Sequence, residues 1–183
     1  LFQRGISSET IPKTGGKSVI GRSVKLGCNP AVYDPRMPRM GAVSSGPQKA
    51  PPSVLRENRP KVQMFGNDVL GDCTAAGVFN SLEDVASLAG FSVPAVTEDA
   101  ISFYSASTGY VKGNPTTDRG GYEVDVLKHA AKFGVVAGSN SFYPLPWTAD
   151  PQDFESLKLS IAFTGCAYLG VDLSVSDMAE AEA

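Results

Sequence analysis

A cysteine that follows a glycine-containing turn is the residue of this chain best suited to chemistry. Cys73 lies in the segment FGNDVLGDCTAA, residues 65–76, directly before a long stretch whose apolar residues have helical spacing. A helix N-terminus carries partial positive charge and unpaired N–H groups, which favour the thiolate, the nucleophilic form of cysteine. The segment therefore predicts Cys73 as a nucleophile, with a small, inert core cysteine as the alternative.

An amide side chain precedes Cys73 by six residues, in the loop that enters the helix. The NH2 group of Asn67 would point at the same oxygen as the backbone N–H of Cys73. Two such donors make an oxyanion hole, which stabilises the charge that develops when a thiolate attacks a carbonyl. The alternative is that Asn67 and Asp68 only form a turn.

Hydrophobic periodicity and cap signals predict four helices and one strand around this segment. Asp72 and Thr97 are expected to cap the first two helices, and an Asp150-Pro151 pair to begin the fourth. The β-branched and aromatic content of the last segment favours a strand. The predicted helices cover residues 72–89, 97–109, 122–133 and 150–165, the strand covers residues 166–173, and the inward residues of the fourth helix are Phe154, Leu157 and Ile161.

The first 61 residues differ from the rest, because they are rich in proline and glycine and poor in periodic apolar positions. Proline fixes φ and removes a hydrogen-bond donor, which excludes long helices. We therefore predict an extended arm at residues 1–61 and a folded domain at residues 62–183. The arm would lie over its own domain or over a neighbouring protein. The order of arm, helices and strand is typical of the α+β class.

Composition excludes several classes of function. The net charge is −3 without a cluster of Lys or Arg, so nucleic acid is not an expected partner. No apolar run is long enough to predict a membrane span. The three cysteines are widely spaced, which gives neither a disulfide framework nor a zinc site, so no metal and no cofactor are expected.

The segment GNDVLGDCT, residues 66–74, resembles the Gly-Asn-Asp-x-x-Gly-Asp-Cys-Thr motif of papain-like cysteine peptidase-type proteins of phages, prophages and bacteria. Later segments are similar, in the right order, to the Gly-Gly loop and helix of the papain family, to its Tyr-Pro segment, and to the strand before its catalytic histidine. These are TDRGGY at residues 117–122, YPLP at 143–146 and GCAYLGVD at 165–172. The resemblance covers residues 62–173 and implies a papain-like α+β fold.

The resemblance implies roles for individual residues. Cys73 would be the nucleophile, and Asn67 would be the oxyanion donor where the papain family has a glutamine. Gly120 and Gly121 would lie beside a bound peptide, since the absence of side chains lets backbones pair; the alternative is a plain turn before a helix. Asp118 would orient this loop, or would serve as a simple cap or turn residue.

One part of the papain pattern is missing from the chain. In the papain family, the general-base histidine comes after the strand that residues 165–172 resemble. The only histidine here is His129, in the third predicted helix, where a surface or structural role is expected. A nucleophilic cysteine needs a positioned base for its proton transfers. Three explanations stay open: the natural chain continues past residue 183 and supplies the histidine, another chain supplies it, or the scaffold is non-catalytic. Under the first, the domain is incomplete at its C-terminal end.

Three functions therefore compete at this point. The leading hypothesis is a cysteine hydrolase, a peptidase or amidase that acts on a peptide or protein, such as cell-wall or viral material. The second is a non-catalytic structural protein of a phage particle, which would contact other phage proteins through its arm. The third is an unrelated α+β binding module in which Cys73 is buried. The compartment stays open, with the virion and the bacterial cytoplasm as candidates.

Overall fold

The computed structural model describes residues 28–39, 49–53, 59–148 and 153–170. Within these ranges the protein combines helices with a small antiparallel sheet, as the α+β class predicts. None of the helices in the described ranges is both long and apolar enough to cross a membrane. The helices are α1 (Cys73–Leu88), α2 (Thr97–Thr108), α3 (Glu123–Phe133) and α4 (Phe154–Thr164), a short 3-10 helix covers Pro115–Thr117, and the strands are β1 (Val135–Ala137) and β2 (Asn140–Phe142).

The first three predicted helices are confirmed to within two residues at either end. The prediction of Thr97 as the cap of α2 is wrong by one residue, since Val96 holds that position and Thr97 begins the helix. The Asp99 carboxylate accepts the Val96 N–H at 3.1 Å, which satisfies a donor at the helix start. Gly109 ends α2 with φ of 80°, a left-handed conformation that favours glycine.

An aromatic row joins the three helices and the segment before α1. The ring centroids of Phe65 and Phe79 lie 5.5 Å apart, and those of Phe79 and Phe103 lie 5.8 Å apart. His129 on α3 continues the row at 5.6 Å from Phe103 and contacts Phe133 at 4.8 Å. Because such pairs bury large apolar areas, Phe65, Phe79 and Phe103 form part of the core, whereas Phe133 at the end of the row is exposed.

A β-hairpin follows α3 directly. β1 and β2 pair antiparallel, with Val135 opposite Phe142, and β1 alternates buried, exposed and buried side chains. Gly134 with φ of 85° separates the helix from the hairpin. No pattern in the sequence predicts this hairpin, because three-residue strands are too short for period-two alternation to be recognised.

The inward face predicted for α4 is wrong at two of its three residues, whereas the third, Leu157, is half-buried. Phe154 is 66% exposed and Ile161 is 38% exposed, whereas Leu159 and Ser160 are buried. Ser160 Oγ accepts the indole N–H of Trp147 at 3.2 Å. The apolar pattern missed this face because a buried hydrogen bond, rather than a hydrophobic stripe, places Ser160 inside.

The start of α4 also differs from the prediction. Asp153 is its cap, and its carboxylate accepts the N–H of Ser156 at 3.1 Å. Asp150 and Pro151, which were expected to begin the helix, lie outside the described residues. Gly165 ends α4 with φ of 81°, as predicted.

The strand predicted at residues 166–173 is absent from its described part, residues 166–170. Tyr168 instead fastens this segment to α1, where its hydroxyl donates to the Thr74 carbonyl at 2.9 Å. Its ring lies against Gly77, at which a Cβ atom would stand only 2.3 Å from Tyr168 Cε2. A side-chain contact therefore takes the place of the expected backbone ladder. Residues 171–173 lie outside the described ranges.

Residues 28–39, which belong to the predicted arm and are called the strap below, lie on the folded domain. The Asn29 N–H donates to the Gly121 carbonyl at 3.0 Å, and the Thr148 N–H donates to the Pro38 carbonyl at 2.8 Å. Between these points the buried Asp34 forms an ion pair with Lys128 of α3. Of the two arrangements left open, the strap adopts the one on its own domain.

Candidate functional site

The loop before α1 is tightly wound. Phe65 and Gly66 both have positive φ, at 51° and 100°, and the N–H groups of Val69 and Leu70 both donate to the Gly66 carbonyl at 2.9 Å. The loop thereby returns to the helix start, so that a Cβ atom at Gly66 would stand 3.0 Å from Asp72 Oδ2. This winding places the motif's polar residues around the first turn of α1.

Cys73 is the first residue of α1 and is partly exposed. Asp72 has the cap position, since its carbonyl accepts the Ala76 N–H at 2.9 Å, but its side chain makes no capping hydrogen bond. The predicted cap is therefore right in position and wrong in its side-chain role. The Asp72 side chain therefore does not occupy the N–H groups of the first turn of α1.

The Asp72 carboxyl is fully buried, and neither of its oxygens has a hydrogen-bond partner in the described part of the chain. Burial raises the pKa of Asp72 to about 7, and the nearby Asp118 and Asp68 add to this increase, although its own N–H group opposes it. Near neutral pH, a large share of Asp72 is therefore protonated. Protonation of Asp72 therefore reduces the negative charge beside Cys73.

Asn67 lies in the wound loop, where its backbone N–H donates to the Met64 carbonyl at 2.9 Å. Its side-chain Oδ1 is buried and accepts no hydrogen bond from the described residues. The amide is thus not held by a structural bond at its oxygen. The donor role of Asn67 towards an oxyanion stays a prediction.

The glycine loop, residues 117–122, lies against the start of α1. A Cβ atom at Gly121 would stand 2.7 Å from Thr74 Oγ1, 3.1 Å from Thr108 and 3.2 Å from Val126. No side chain fits at Gly121 without a shift of these neighbours. The absence of a side chain therefore lets the loop backbone approach the residue that follows Cys73.

A hydrogen-bonded chain, called the Asp118 bridge below, connects the glycine loop to the turn before α1. The Gly71 N–H donates to both carboxylate oxygens of Asp118 at 3.1 Å. The Tyr104 hydroxyl donates to Asp118 Oδ1 at 2.8 Å and accepts the Gly120 N–H at 3.0 Å. Asp118 thus binds both segments, which is more than a local turn role. The role of Tyr104 has no signal in the sequence, since a tyrosine on a helix resembles any other core residue.

Three further titratable groups lie around Cys73. Burial raises the pKa of Tyr168, and the nearby Glu123, Cys73 and Cys28 raise it further. Burial likewise raises the pKa of the Cys28 thiol, with added contributions from Glu123 and Cys73. The strap, α1, α3 and the segment after α4 meet here, since Tyr168 bonds to Thr74, Gly170 lies against Glu123 and Cys28 pairs with Gly121. Spacing in the sequence gave no signal for this meeting.

The strap pairs its backbone with the glycine loop. Cys28 forms an isolated parallel bridge with Gly121, next to the hydrogen bond from the Asn29 N–H to the Gly121 carbonyl. The Asn29 side chain adds a long contact of 3.5 Å to the Arg119 carbonyl. The glycine loop therefore does pair with an extended backbone, and in this structure that backbone belongs to the protein itself.

His129 lies outside the group of residues that surrounds Cys73. Its ring packs between those of Phe103 and Phe133, which agrees with the structural role expected from the sequence. Within the described ranges, no group of three or more His, Cys, Asp or Glu side chains could hold a metal ion. The described residues around Cys73 thus offer a thiol, hydrogen-bond donors and a backbone edge.

Comparison with protein families, curated proteins and solved structures finds no significant match to this chain. The resemblance to papain-like peptidases therefore rests on the motif at residues 66–74 and on the later segments that follow in order. The geometry around Cys73 is a thiol at a helix start, beside a loop that pairs with extended backbone.

Proposed function

We propose that this protein is a cysteine hydrolase-like domain on a papain-like scaffold, with Cys73 as nucleophile and a peptide or protein amide as substrate. The pairing of Gly121 with an extended backbone carries this proposal. Gly121 contacts Thr74, the neighbour of Cys73, so a chain on this edge passes close to the thiol. A nucleophile beside an edge that aligns extended peptide suits attack on a peptide bond.

The chemistry uses the first turn of α1. The Cys73 thiolate attacks the carbonyl carbon, and the negative oxygen binds the Cys73 N–H and the Asn67 amide. Collapse of this intermediate breaks the C–N bond, releases the amine with a proton, and leaves a thioester that water hydrolyses. The proton transfers need a base. We assign that base to a histidine outside these 183 residues, on the same polypeptide or on a partner, rather than to His129.

The experiment that tests this proposal compares the alkylation rates of the three cysteines. At neutral pH, we expect iodoacetamide to modify Cys73 about tenfold faster than Cys28 or Cys166, because thiolate character controls the rate. Cys28 is the most exposed of the three cysteines, but partial burial of its thiol and the nearby Glu123 and Cys73 raise its pKa. Rates are read from modified peptides by mass spectrometry.

His129→Ala is the matched control, and it should leave the Cys73 rate within about twofold of the wild type. Equal rates for the three cysteines would remove the basis for an activated nucleophile. A large loss of Cys73 reactivity in a folded His129→Ala protein would show that the base has been misplaced.

The second candidate is a non-catalytic structural protein on the same scaffold, such as a component of a phage particle. The position of His129 between two phenylalanine rings favours it, because the only histidine of these residues is occupied in packing. Casein hydrolysis by the native protein separates the two candidates. Cleavage that Cys73→Ala abolishes supports the hydrolase, whereas no cleavage together with an ordinary Cys73 thiol supports the structural protein.

A further inference from the structure

The Asp118 bridge crosses three separate parts of the chain. Gly71 belongs to the turn before α1, Tyr104 belongs to α2, and Gly120 belongs to the glycine loop. Asp118 and Gly71 are 47 residues apart in the sequence, so this contact exists only in the folded protein. The bridge therefore sets the position of the turn before Cys73 relative to the backbone edge at Gly121.

The direction of each hydrogen bond in the bridge is fixed. Tyr104 is fully buried, and burial, followed by its hydrogen bond to Asp118, raises the pKa of its hydroxyl well above the usual range. The hydroxyl stays protonated and donates to Asp118, which leaves its oxygen to accept the Gly120 N–H. Bonds to a charged carboxylate are shorter and stronger than those between neutral groups. The bridge is thus a directional link and not a set of interchangeable contacts.

We propose that Asp118 and Tyr104 are positioning residues, which hold Cys73 and the Gly121 edge at the separation that the reaction needs. This inference rests on the proposed function of Cys73. Reacting groups must be held within about 0.5 Å of their productive geometry. Neither Asp118 nor Tyr104 touches the substrate in this scheme, because each acts through the backbone N–H groups of Gly71 and Gly120.

The test measures the rate of Cys73 alkylation by iodoacetamide between about pH 5 and about pH 10 in Asp118→Ala and Asp118→Asn. Both variants remove the same negative charge, so the difference between them isolates the hydrogen bonds. Asp118→Asn keeps an oxygen that accepts the Gly71 N–H, whereas Asp118→Ala does not. At pH 7 we expect Asp118→Ala to react about tenfold more slowly than Asp118→Asn, with Cys166 unchanged in both.

Tyr104→Phe cuts the bridge at one point and leaves the Asp118 charge in place. We expect amide hydrogen exchange at Gly120 to become about tenfold faster, while exchange at Gly71 stays within about twofold of the wild type. Asp118→Ala should accelerate exchange at both amides. The control is Tyr110→Phe, since the Tyr110 ring is also buried and lies 5.1 Å from that of Tyr104.

Equal Cys73 profiles in folded Asp118→Ala and Asp118→Asn proteins would overturn the positioning role alone. If Asp118→Ala does not fold, Tyr104→Phe decides, and a result identical to that of Tyr110→Phe in both exchange and alkylation would overturn the role. A wild-type Cys73 that titrates as an ordinary thiol would overturn the proposed function itself. The two failures are therefore distinguishable.

Discussion

Asp72 shows how strongly one position can depart from the behaviour expected of its side chain. A carboxylate at a helix start normally caps the first turn, but this one is fully buried and lacks hydrogen-bond partners among the described residues. Its pKa of about 7 lies well above the value of about 3.9 for an unfolded chain. The folded state therefore holds a proton on Asp72 that the unfolded state releases in the same pH range.

This difference makes the stability of the protein depend on pH. Because the native state binds more protons, the contribution of Asp72 is most favourable below about pH 4 and falls by up to roughly 4 kcal/mol as the pH rises to about 7. Asp72→Asn should remove this dependence and stabilise the protein at pH 8 more than at pH 5, as measured by urea denaturation. Asp125→Asn, at an exposed position of α3, is the control. A gain that is the same at both pH values would contradict the prediction.

At the scale of elements, α1 and the segment after α4 depend on one glycine. Gly77 lies under the ring of Tyr168, whose hydroxyl is fixed at the Thr74 carbonyl. Gly77→Ala would gain about 1 kcal/mol of helix propensity but would place a methyl group inside the ring's position. We expect a net destabilisation of about 1–3 kcal/mol from this overpacking, measured by urea denaturation.

A double mutant isolates the clash. In a Tyr168→Ala background the ring is absent, so Gly77→Ala should become stabilising by about 1 kcal/mol. If the effects of the two substitutions simply add, the ring does not control the choice of glycine at this position.

The sequence predicted elements better than contacts. The helices of the core were recognisable because stop glycines such as Gly109 and Gly134 follow stripes of apolar residues with helical spacing. The segment at residues 166–170 has the composition of a strand, but its conformation depends on the contact between Tyr168 and Gly77, about 90 residues earlier in the chain. Local composition does not encode such a partner.

The candidate site was predictable to a similar extent. The position of Cys73 at a helix start follows from the local pattern, and the structure confirms it. The Asp118 bridge was beyond prediction, because it joins Gly71 to Tyr104 and Gly120 through contacts between distant segments. Capping by the Asp72 side chain was wrongly predicted, since the wound loop draws its carboxyl towards Gly66.

At the scale of the whole molecule, the strap makes access to the glycine loop depend on an ion pair. Arg36 and Lys128 hold the pKa of the Asp34 carboxyl well below its usual range, chiefly through side-chain hydrogen bonds. A lowered pKa in the folded state stabilises the folded strap at neutral pH, and this contribution is lost as the pH falls through the folded pKa. The strap should therefore remain attached at neutral and mildly acidic pH.

Asp34→Asn should loosen the strap at neutral pH. We expect hydrogen exchange at the Asn29 N–H, which is bonded to Gly121, to become about tenfold faster, because its anchor on α3 is weakened. Alkylation of Cys73 should also become faster as the strap leaves the loop. Asp125→Asn, on the exposed face of α3, is the control. Unchanged exchange at Asn29 would show that the ion pair does not hold the strap.

The hydrogen bond between Trp147 and Ser160 gives the protein an optical reporter of its own. Trp147 is the only tryptophan of the chain, and its indole N–H is fixed to α4 at 3.2 Å. Its neighbour, Thr148, holds the end of the strap at Pro38. The wavelength of maximum fluorescence emission of this single indole therefore reports whether α4 and the nearby end of the strap are docked, without any dye attached to the cysteines.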